Sequence, residues 1–286
     1  MAVLGVDVGG TAVKTWREDG SGGIADTVPT PRNDPSGERT ADLVAELVRA
    51  ADVAAVGLAV PGIVDDAAGV CRSSVNLAWR NVPIGPLVAA RTGRPVVVAQ
   101  DVRAGAAGER LAGAGRGRDG SLLFAPVGTG LALAWVDGDG TPLGTPWTGE
   151  VGQLRHRTGP YAGLRVEEIA SAGGLARRFG VAGAKDVLEA RDAGDGRAAA
   201  LWTETVEAIA EVLAWSIALT APATVVIGGG LVRAGDELLE PLRGSLAERL
   251  DRFPETPVLA AECGTASAAI GMARLAARAG TPLPAR

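Results

Sequence analysis

A short apolar strand at the N-terminus runs directly into a pair of glycines, and this junction constrains the chain more than any other stretch. Residues 2–6 are apolar, Asp7 follows them, and Gly9, Gly10 and Thr11 form the turn. Glycines carry no Cβ, so a ligand can closely approach the backbone N–H groups of such a turn. Backbone N–H groups presented in this way can cradle phosphate oxygens. The turn therefore indicates a phosphate site.

Polar side chains beside this turn favour the same interpretation. The Thr11 hydroxyl and the Lys14 ammonium add donors, and Asp7 can hold a hydrated magnesium ion that bridges nucleotide phosphates. A Gly-Gly turn taken alone is also typical of an ordinary hairpin. The choice between the two readings therefore depends on the rest of the chain.

Two further glycine clusters follow apolar runs. Residues 122–127 lead into Gly128, Thr129 and Gly130, and residues 224–227 lead into Gly228, Gly229 and Gly230. The first and second turns share a strand-turn-strand pattern, which suggests a duplicated architecture. None of the turns has the P-loop pattern or a GxGxxG between a strand and a helix, so Walker-type and Rossmann folds are disfavoured.

Hydrophobic periodicity predicts a mixed α/β chain. A polar, Gly/Pro-rich stretch at 18–37 is predicted to be a loop. The apolar region 212–227 is divided by Pro222, which favours a buried helix and a buried strand over a membrane span. The predicted strands are 3–7, 12–16, 53–60, 95–99, 122–127, 131–136 and 224–227. The predicted helices are 40–51, 86–92, 104–112, 206–217 and 267–278.

Length and composition narrow the function class. A chain of 286 residues predicts two domains. The net charge of -5, without a Lys/Arg block, argues against a nucleic-acid partner. Cys71 and Cys263 alone fit a reducing cytoplasm and cannot supply a cysteine-rich zinc site. No basic region with a long apolar core precedes the first turn, so we expect a cytoplasmic protein without a signal peptide or a membrane partner.

An ordered set of motifs resembles the ROK family (repressor, open reading frame, kinase) of the sugar kinase and actin superfamily. The similarity spans nearly the whole chain. The matching segments are residues 7–14 (DVGGTAVK), 57–65 (GLAVPGIVD), 76–79 (NLAW), 100–101 (QD), 128–130 (GTG), 149–152 (GEVG) and 227–230 (IGGG).

The resemblance implies an α/β fold of two ribonuclease-H-like (actin-like ATPase) domains with a nucleotide and sugar cleft between them. The predicted limits are 1–102 plus 267–286 for a small domain and 103–266 for a large one. The turns at Gly9 and Gly128 would face each other and hold the β- and γ-phosphates of ATP with Mg2+. Gly229 and Gly230 would lie near the adenosine. Thr11, Lys14, Thr129 and Gly130 complete the implied nucleotide site, and Asp7 would hold magnesium through water.

The family pattern also implies an acceptor site. Asp101 would be the general base, because it matches the family's catalytic carboxylate at a strand end. The other implied acceptor contacts are Gly62, Asn76, Gln100, Glu150, Gln153 and Glu167. Each assignment has a simpler alternative. Asp101 can cap the helix that follows it, Glu150 and Glu167 can be surface acids, and Asn76 can serve a turn.

Departures from the family pattern bear on the substrate. Gln100 stands where Asn is usual, and Gln153 stands where a histidine ends the Gly-Glu-x-Gly-His motif. The cysteine cluster CxCGxxGCxE is missing between residues 154 and 166, so zinc is predicted to be absent, with His156 an ordinary loop residue. A glutamine amide keeps a donor and an acceptor but changes reach. Because sites that read hydroxyls discriminate strongly, a modified sugar or a cyclitol is predicted rather than plain glucose.

The leading hypothesis is an ATP-dependent kinase acting on a hydroxyl of a hexose or hexose-like ring, working as a homo-oligomer, most simply a dimer. Polyphosphate is an alternative donor, although no basic groove is evident. A degenerate, non-catalytic sugar-binding protein is a second alternative. A sugar-responsive repressor is disfavoured, because only five residues separate Met1 from Asp7 and leave no room for a DNA-binding segment.

Overall fold

The computed structural model describes residues 2–19 and 23–279, and the chain forms two compact units. The first unit comprises residues 1–118, 136–148 and 263–286, and the second comprises 119–135 and 149–262. The strands are β1 (Val3–Val8), β2 (Ala12–Glu18), β3 (Gly23–Pro29), β4 (Ala55–Val60), β5 (Ile63–Asp65), β6 (Val70–Ser74), β7 (Trp79–Val82), β8 (Val96–Gln100), β9 (Leu122–Pro126), β10 (Ala134–Val136), β11 (Thr224–Gly228) and β12 (Val258–Ala260). The helices are α1 (Glu38–Ala51), α2 (Ile84–Thr92), α3 (Asp101–Leu111), α4 (Val166–Ile169), α5 (Ala172–Phe179), α6 (Ala184–Asp192), α7 (Gly196–Thr220), α8 (Asp236–Arg249) and α9 (Ser267–Ala279).

The first unit is built on a five-stranded sheet in the order β3-β2-β1-β4-β8. β1, β2 and β3 pair antiparallel, whereas β1, β4 and β8 run parallel. Side chains alternate across β1: Leu4 and Val6 pack with Val44 and Val48 of α1, and Val3 packs with Ala273 of α9 on the opposite face. The sheet therefore has helices on both faces. A smaller three-stranded sheet, β5-β6-β7, extends the unit.

Helix α3 packs tightly on α9, and small residues make this approach possible. A Cβ built on Gly108 would overlap the Ser267 carbonyl oxygen, and one built on Gly271 would overlap the Ala104 carbonyl oxygen. The predicted domain limit at residue 102 falls inside α3, whereas the compact unit continues to residue 118 and also takes in 136–148. The long-range packing of α3 on α9 is the physical reason for this difference. Residues 280–286 of the predicted limits lie outside the described residues.

The second unit contains the sheet β10-β9-β11-β12, in which β9, β11 and β12 are parallel. Helix α7 covers this sheet with a fully apolar stripe that includes Ile209 and Leu213, both buried in the same core as Val225 and Ile227 of β11. The predicted buried helix and buried strand on either side of Pro222 are therefore both present. In the part of the chain that the structure describes, no helix is long and apolar enough to cross a membrane.

Two local predictions were wrong. Part of the predicted loop 18–37 is strand β3, which pairs antiparallel with β2 over its whole length. Its side chains are almost all exposed, so no hydrophobic alternation marks it. Residues 20–22 of that loop lie outside the described part. The strand predicted at 131–136 begins only at Ala134, because Leu131 bridges back to Val127 and the Leu133 N–H donates to the Gly149 carbonyl oxygen.

Candidate active site

Three parallel strands end at one edge of the first unit's sheet, and predicted site residues follow each of them. Asp7 pairs with Ala59 in β4, and Ala59 pairs with Ala99 in β8, two residues before Asp101. Neighbouring strands lie about 4.8 Å apart, so the backbone at Asp7 is about 10 Å from the end of β8. Gly62 follows β4 between them. The carboxyl ends of parallel strands are where α/β sheets bind ligands.

Asp7 and Lys14 face each other across the first hairpin. They are register partners in β1 and β2, and the Lys14 ammonium donates to Asp7 Oδ2 at 3.4 Å. Burial raises the pKa of Asp7 above its ordinary value of 3.8, and the Lys14 charge and hydrogen bond only partly oppose that shift. The carboxylate is therefore incompletely compensated by the protein. A cation bound at this position would supply the missing charge.

The first glycine turn is fixed on both sides. The Gly9 N–H donates to the Ala12 carbonyl oxygen at 2.9 Å. The buried Thr30 hydroxyl donates to the Gly9 carbonyl oxygen at 2.7 Å, and the Thr30 N–H donates to the Thr11 carbonyl oxygen at 3.1 Å. Thr11 itself is exposed. Hydrogen bonds from Thr30 thus hold the backbone of the turn, while the Thr11 side chain stays exposed.

The predicted acceptor residue Asn76 lies beside this turn. It occupies the exposed connection between β6 and β7, and its carbonyl oxygen is 3.3 Å from a Cβ built on Gly10. The next strand is anchored by Trp79, whose indole N–H donates to the Asp34 carbonyl oxygen at 2.7 Å. The structure therefore brings Asn76 and the first turn together, and it also gives Asn76 the turn position of the simpler alternative.

Asp101 is the first residue of α3, directly after β8. Gln100 is the residue preceding the helix, and the Asp101 carboxylate accepts the Val102 N–H at 2.9 Å. Asp101 therefore contacts the N-terminus of α3, as the capping alternative expects, but it does so from the first helical position and not from the residue before the helix. Gln100 is buried, with 4% of its surface exposed, whereas Asp101 is half-buried.

A half-buried ion pair holds the start of α3, and the sequence reasoning missed it. The Arg103 guanidinium donates to both Asp66 carboxylate oxygens, at 2.7 and 3.1 Å, and to the Val64 carbonyl oxygen at 3.0 Å. The Gln100 N–H also donates to Asp66. Burial raises the pKa of Asp66, and Arg103 opposes that rise. Because these contacts join segments 37 residues apart, no local spacing could have predicted them.

The second glycine turn is held by main-chain and hydroxyl contacts in the second unit. The Gly173 N–H donates to the Gly128 carbonyl oxygen at 3.1 Å. The fully buried Ser171 hydroxyl donates to the Glu167 carbonyl oxygen at 2.6 Å and lies 3.1 Å from the Thr129 carbonyl oxygen. Thr129 points outward and is exposed.

The third glycine cluster adjoins the second turn. The Val127 N–H donates to the Gly228 carbonyl oxygen at 3.0 Å, and the Leu231 N–H donates to the Val127 carbonyl oxygen at 3.0 Å. Gly229 adopts a φ of 77°, which favours glycine, and a Cβ there would overlap the Val127 backbone. Gly229 and Gly230 are exposed. The structure thus places these two predicted nucleotide-binding segments side by side.

Three predicted acceptor residues cluster beside the second turn. Gln153 Nε2 donates to Glu167 Oε1 at 2.9 Å, and the Gln153 N–H donates to the Glu150 carbonyl oxygen at 3.2 Å. Glu167 Oε2 lies 2.5 Å from a Cβ built on Gly130. Arg165, which the sequence reasoning did not single out, donates to Gln153 Oε1 at 2.8 Å. Glu167 is therefore part of a hydrogen-bonded group and not an isolated surface acid.

The nucleotide predicted from the sequence can be tested against these turns. A Cβ built on Gly128 or Gly230 would meet no atom within 4 Å, so open space adjoins the backbone at both positions. Burial raises the pKa of Asp7, so a cation bound beside it would favour its charged form. Within the second unit, open backbone at the second and third clusters leaves room for the phosphates of a nucleotide.

Zinc has no visible binding cluster in the described part of the chain. Among residues 2–19 and 23–279, no group of three or more His, Cys, Asp or Glu side chains is arranged to hold a metal ion. His156 lies beside Tyr161, with ring centroids 5.8 Å apart, and its N–H pairs with the Leu164 carbonyl oxygen. The absence of zinc stays a prediction.

Two α/β units, each with a glycine turn after a buried strand, define an actin-like ATPase fold, and comparison with known proteins supports this class. The ROK hexokinase from Thermus thermophilus superposes with a TM-score of 0.85 at 29% identity, covering 98% of this chain and 99% of that one. A ROK glucokinase from Streptomyces griseus, solved with glucose and AMPPNP, superposes with a TM-score of 0.79 at 28% identity, covering 97% and 100%.

The sequence comparison leads to the family itself. A glucokinase from Halalkalibacterium halodurans is 32% identical in an alignment that covers 84% of this chain and 83% of that protein. The ROK family pattern matches residues 3–279. The chain belongs to the ROK family, so the family and the fold predicted from the sequence motifs are confirmed.

Proposed function

We propose that this ROK-family chain is an ATP-dependent kinase that transfers the γ-phosphate to a hydroxyl of a hexose or hexose-like acceptor, with Asp101 as general base. The observation that carries the proposal is the shared sheet edge, where Asp7 lies at the end of β1 and Asp101 follows β8. The likeness to a glucokinase crystallised with glucose and AMPPNP supports both ligand classes.

The residues of the first unit would act on the donor and on the attacking hydroxyl. When bound, MgATP would supply the phosphoryl group, and its magnesium ion would neutralise negative charge on the phosphates. The Gly10 N–H and the Thr11 hydroxyl would hold phosphate oxygens, with Lys14 and Asp7 beside them. Gly9 would shape the turn, because its own N–H donates to the Ala12 carbonyl oxygen. The Asp101 carboxylate would accept the proton of the attacking hydroxyl, a contribution of about 10²- to 10⁴-fold in rate.

The second unit would hold the nucleotide and the acceptor from its own turn. Gly128 would present open backbone to the phosphate chain, Thr129 and Gly130 would complete the turn, and Gly229 and Gly230 would lie near the adenosine. Glu150, Gln153 and Glu167 would contact acceptor hydroxyls. Glu167 lies against Gly130, so a proposed acceptor contact also packs against the phosphate turn.

The acceptor itself stays a proposal. Gln100 and Gln153 differ from the residues usual in the family, which favours a modified sugar or a cyclitol over plain glucose. The predicted homodimer, the cytoplasmic location and the use of magnesium are likewise proposals, supported by the family membership and by the environment of Asp7.

The test is acceptor-dependent ADP release from MgATP over a panel of hexoses, amino sugars and cyclitols. We expect phosphorylation of at least one ring hydroxyl and a best substrate other than glucose. Polyphosphate replaces ATP in a parallel arm, and transfer from polyphosphate alone would overturn the donor assignment. Glucose as the best substrate would overturn the acceptor assignment. Acceptor binding without any turnover would indicate the non-catalytic alternative.

A further inference from the structure

The Gln153 side-chain amide has a single orientation that suits its neighbours. Its Oε1 accepts from Arg165 Nη1 at 2.8 Å, and its Nε2 donates to Glu167 Oε1 at 2.9 Å. Rotating the amide by half a turn would bring its NH2 group against a cation and its oxygen against a carboxylate. A guanidinium only donates and an ionised carboxylate only accepts, so Arg165 and Glu167 together fix which end of the amide faces which partner.

Arg165 is well placed to impose this orientation, because its backbone is held on both sides. The Arg165 N–H donates to the Glu168 carboxylate at 2.7 Å, and Arg165 pairs with Arg155 in an antiparallel bridge. Its guanidinium also donates to the Gln153 carbonyl oxygen at 3.1 Å. The guanidinium thus contacts both the main chain and the side chain of Gln153.

We propose that Arg165 is a positioning residue for acceptor recognition, acting through Gln153, and this inference rests on the proposed function. With the amide fixed, one Gln153 N–H hydrogen and Glu167 Oε2 remain to face a ligand. One donor and one acceptor side by side match a pair of neighbouring ring hydroxyls, one accepting from Gln153 and the other donating to Glu167. The site therefore selects acceptors that carry such a hydroxyl pair.

The chain offers a matched control in Arg155. It lies opposite Arg165 in the same bridge, and its guanidinium donates to the Gly163 carbonyl oxygen at 2.6 Å. Arg155→Met and Arg165→Met remove the same charge and the same donors from neighbouring positions. A general effect of weakening this hairpin would appear in both variants, whereas an effect transmitted by Gln153 would appear only in Arg165→Met.

The experiment measures KM and kcat for the best acceptor and for its monodeoxy analogues in wild type, Arg165→Met, Arg165→Lys and Arg155→Met. We expect Arg165→Met to raise the acceptor KM about tenfold, the effect of losing one hydrogen bond to a charged group, with the MgATP KM unchanged. The preference of wild type for the parent over one deoxy analogue should shrink in Arg165→Met. Arg165→Lys should recover part of both losses.

A double-mutant cycle identifies the route of the effect. If Arg165 acts through Gln153, Arg165→Met should change the acceptor KM little in a Gln153→Ala background. The proposal is overturned if Arg165→Met matches Arg155→Met, if it raises the KM of MgATP as much as that of the acceptor, or if its effect persists fully in that background.

Acceptor affinity measured by calorimetry separates this inference from the proposed function. A wild-type chain that binds a polyhydroxy ring without phosphorylating it would contradict the kinase proposal. The same titration of Arg165→Met would then still confirm or refute the positioning role by its weaker or unchanged affinity. A wild-type chain that binds no acceptor in the panel would overturn both proposals.

Discussion

The first and second glycine turns of this chain are held in place by different kinds of contact. The turn at Gly9 is held from behind by the Thr30 hydroxyl and lies beside the Asp7–Lys14 ion pair. The turn at Gly128 is held by the Gly173 N–H and the buried Ser171 hydroxyl. The first turn thus lies beside an ion pair, whereas the second is held by main-chain contacts and a buried hydroxyl group.

The difference indicates how tasks are divided between the two units. The ionisable groups suited to magnesium and to proton transfer lie at the sheet edge of the first unit. In the second unit, Gly130 of the turn lies against Glu167, which belongs to the proposed acceptor site. Changes in the first unit should therefore affect chemistry and charge, and changes in the second should affect packing and recognition.

The largest expected effect is that of Asp101→Asn in the first unit. The amide keeps the shape of the carboxylate but cannot accept the proton, so kcat should fall about 10²- to 10⁴-fold. Acceptor and nucleotide affinities should change little, which calorimetry can check. A variant that keeps more than half of the wild-type kcat would exclude Asp101 as the general base.

A packing change at the second turn should have an intermediate effect, on stability. A Cβ on Gly173 would overlap the Thr129 carbonyl oxygen, so Gly173→Ala should lower the free energy of unfolding by about 1–3 kcal/mol. Gly244, exposed in α8 with no atom within 4 Å of its built Cβ, is the matched control. Gly244→Ala should raise that free energy by about 0.5–1 kcal/mol. Equal urea midpoints for the two variants would refute the packing argument.

The smallest expected effect concerns the pH dependence of stability at Asp7. Its pKa is raised in the folded chain, so the unfolded chain releases this proton at lower pH, near the ordinary value of 3.8. Stability is therefore lost as the pH rises from about that value through the folded pKa. Asp7→Asn lacks this loss, so its advantage over wild type should grow across that window and then level off. Urea unfolding at several pH values measures it, and parallel curves would contradict the burial argument.

Much of the framework followed from local sequence. The strands that end in glycine turns are buried apolar runs, and their positions were predicted to within a few residues for β1, β9 and β11. The exposed strand β3 has no such signal, because it exists through pairing with β2. The limits of the first unit likewise depend on α3 packing against α9, a contact between distant segments.

The candidate site divides in the same way. Motif order was sufficient to identify the family, but the partners that orient site residues are remote from them in sequence. Asp66 reaches Arg103 across 37 positions, and Thr30 reaches Gly9 across 21. Nothing in the sequence predicted Arg165 as a site residue, because an arginine in a polar loop is typical of a solvated surface.

The central claim is that each glycine turn contributes to nucleotide binding, and the dissociation constant of MgAMPPNP tests it most directly. Calorimetry on wild type, Thr11→Val and Gly128→Ala is the measurement, because Thr11 is exposed and a Cβ on Gly128 meets no atom within 4 Å. We predict that Thr11→Val, which removes a hydroxyl donor, weakens MgAMPPNP binding about tenfold. Gly128→Ala should also weaken it, because the added methyl group fills the open space beside the turn, and both changes should leave acceptor affinity unchanged. Weakening by only one of the two changes would contradict the account.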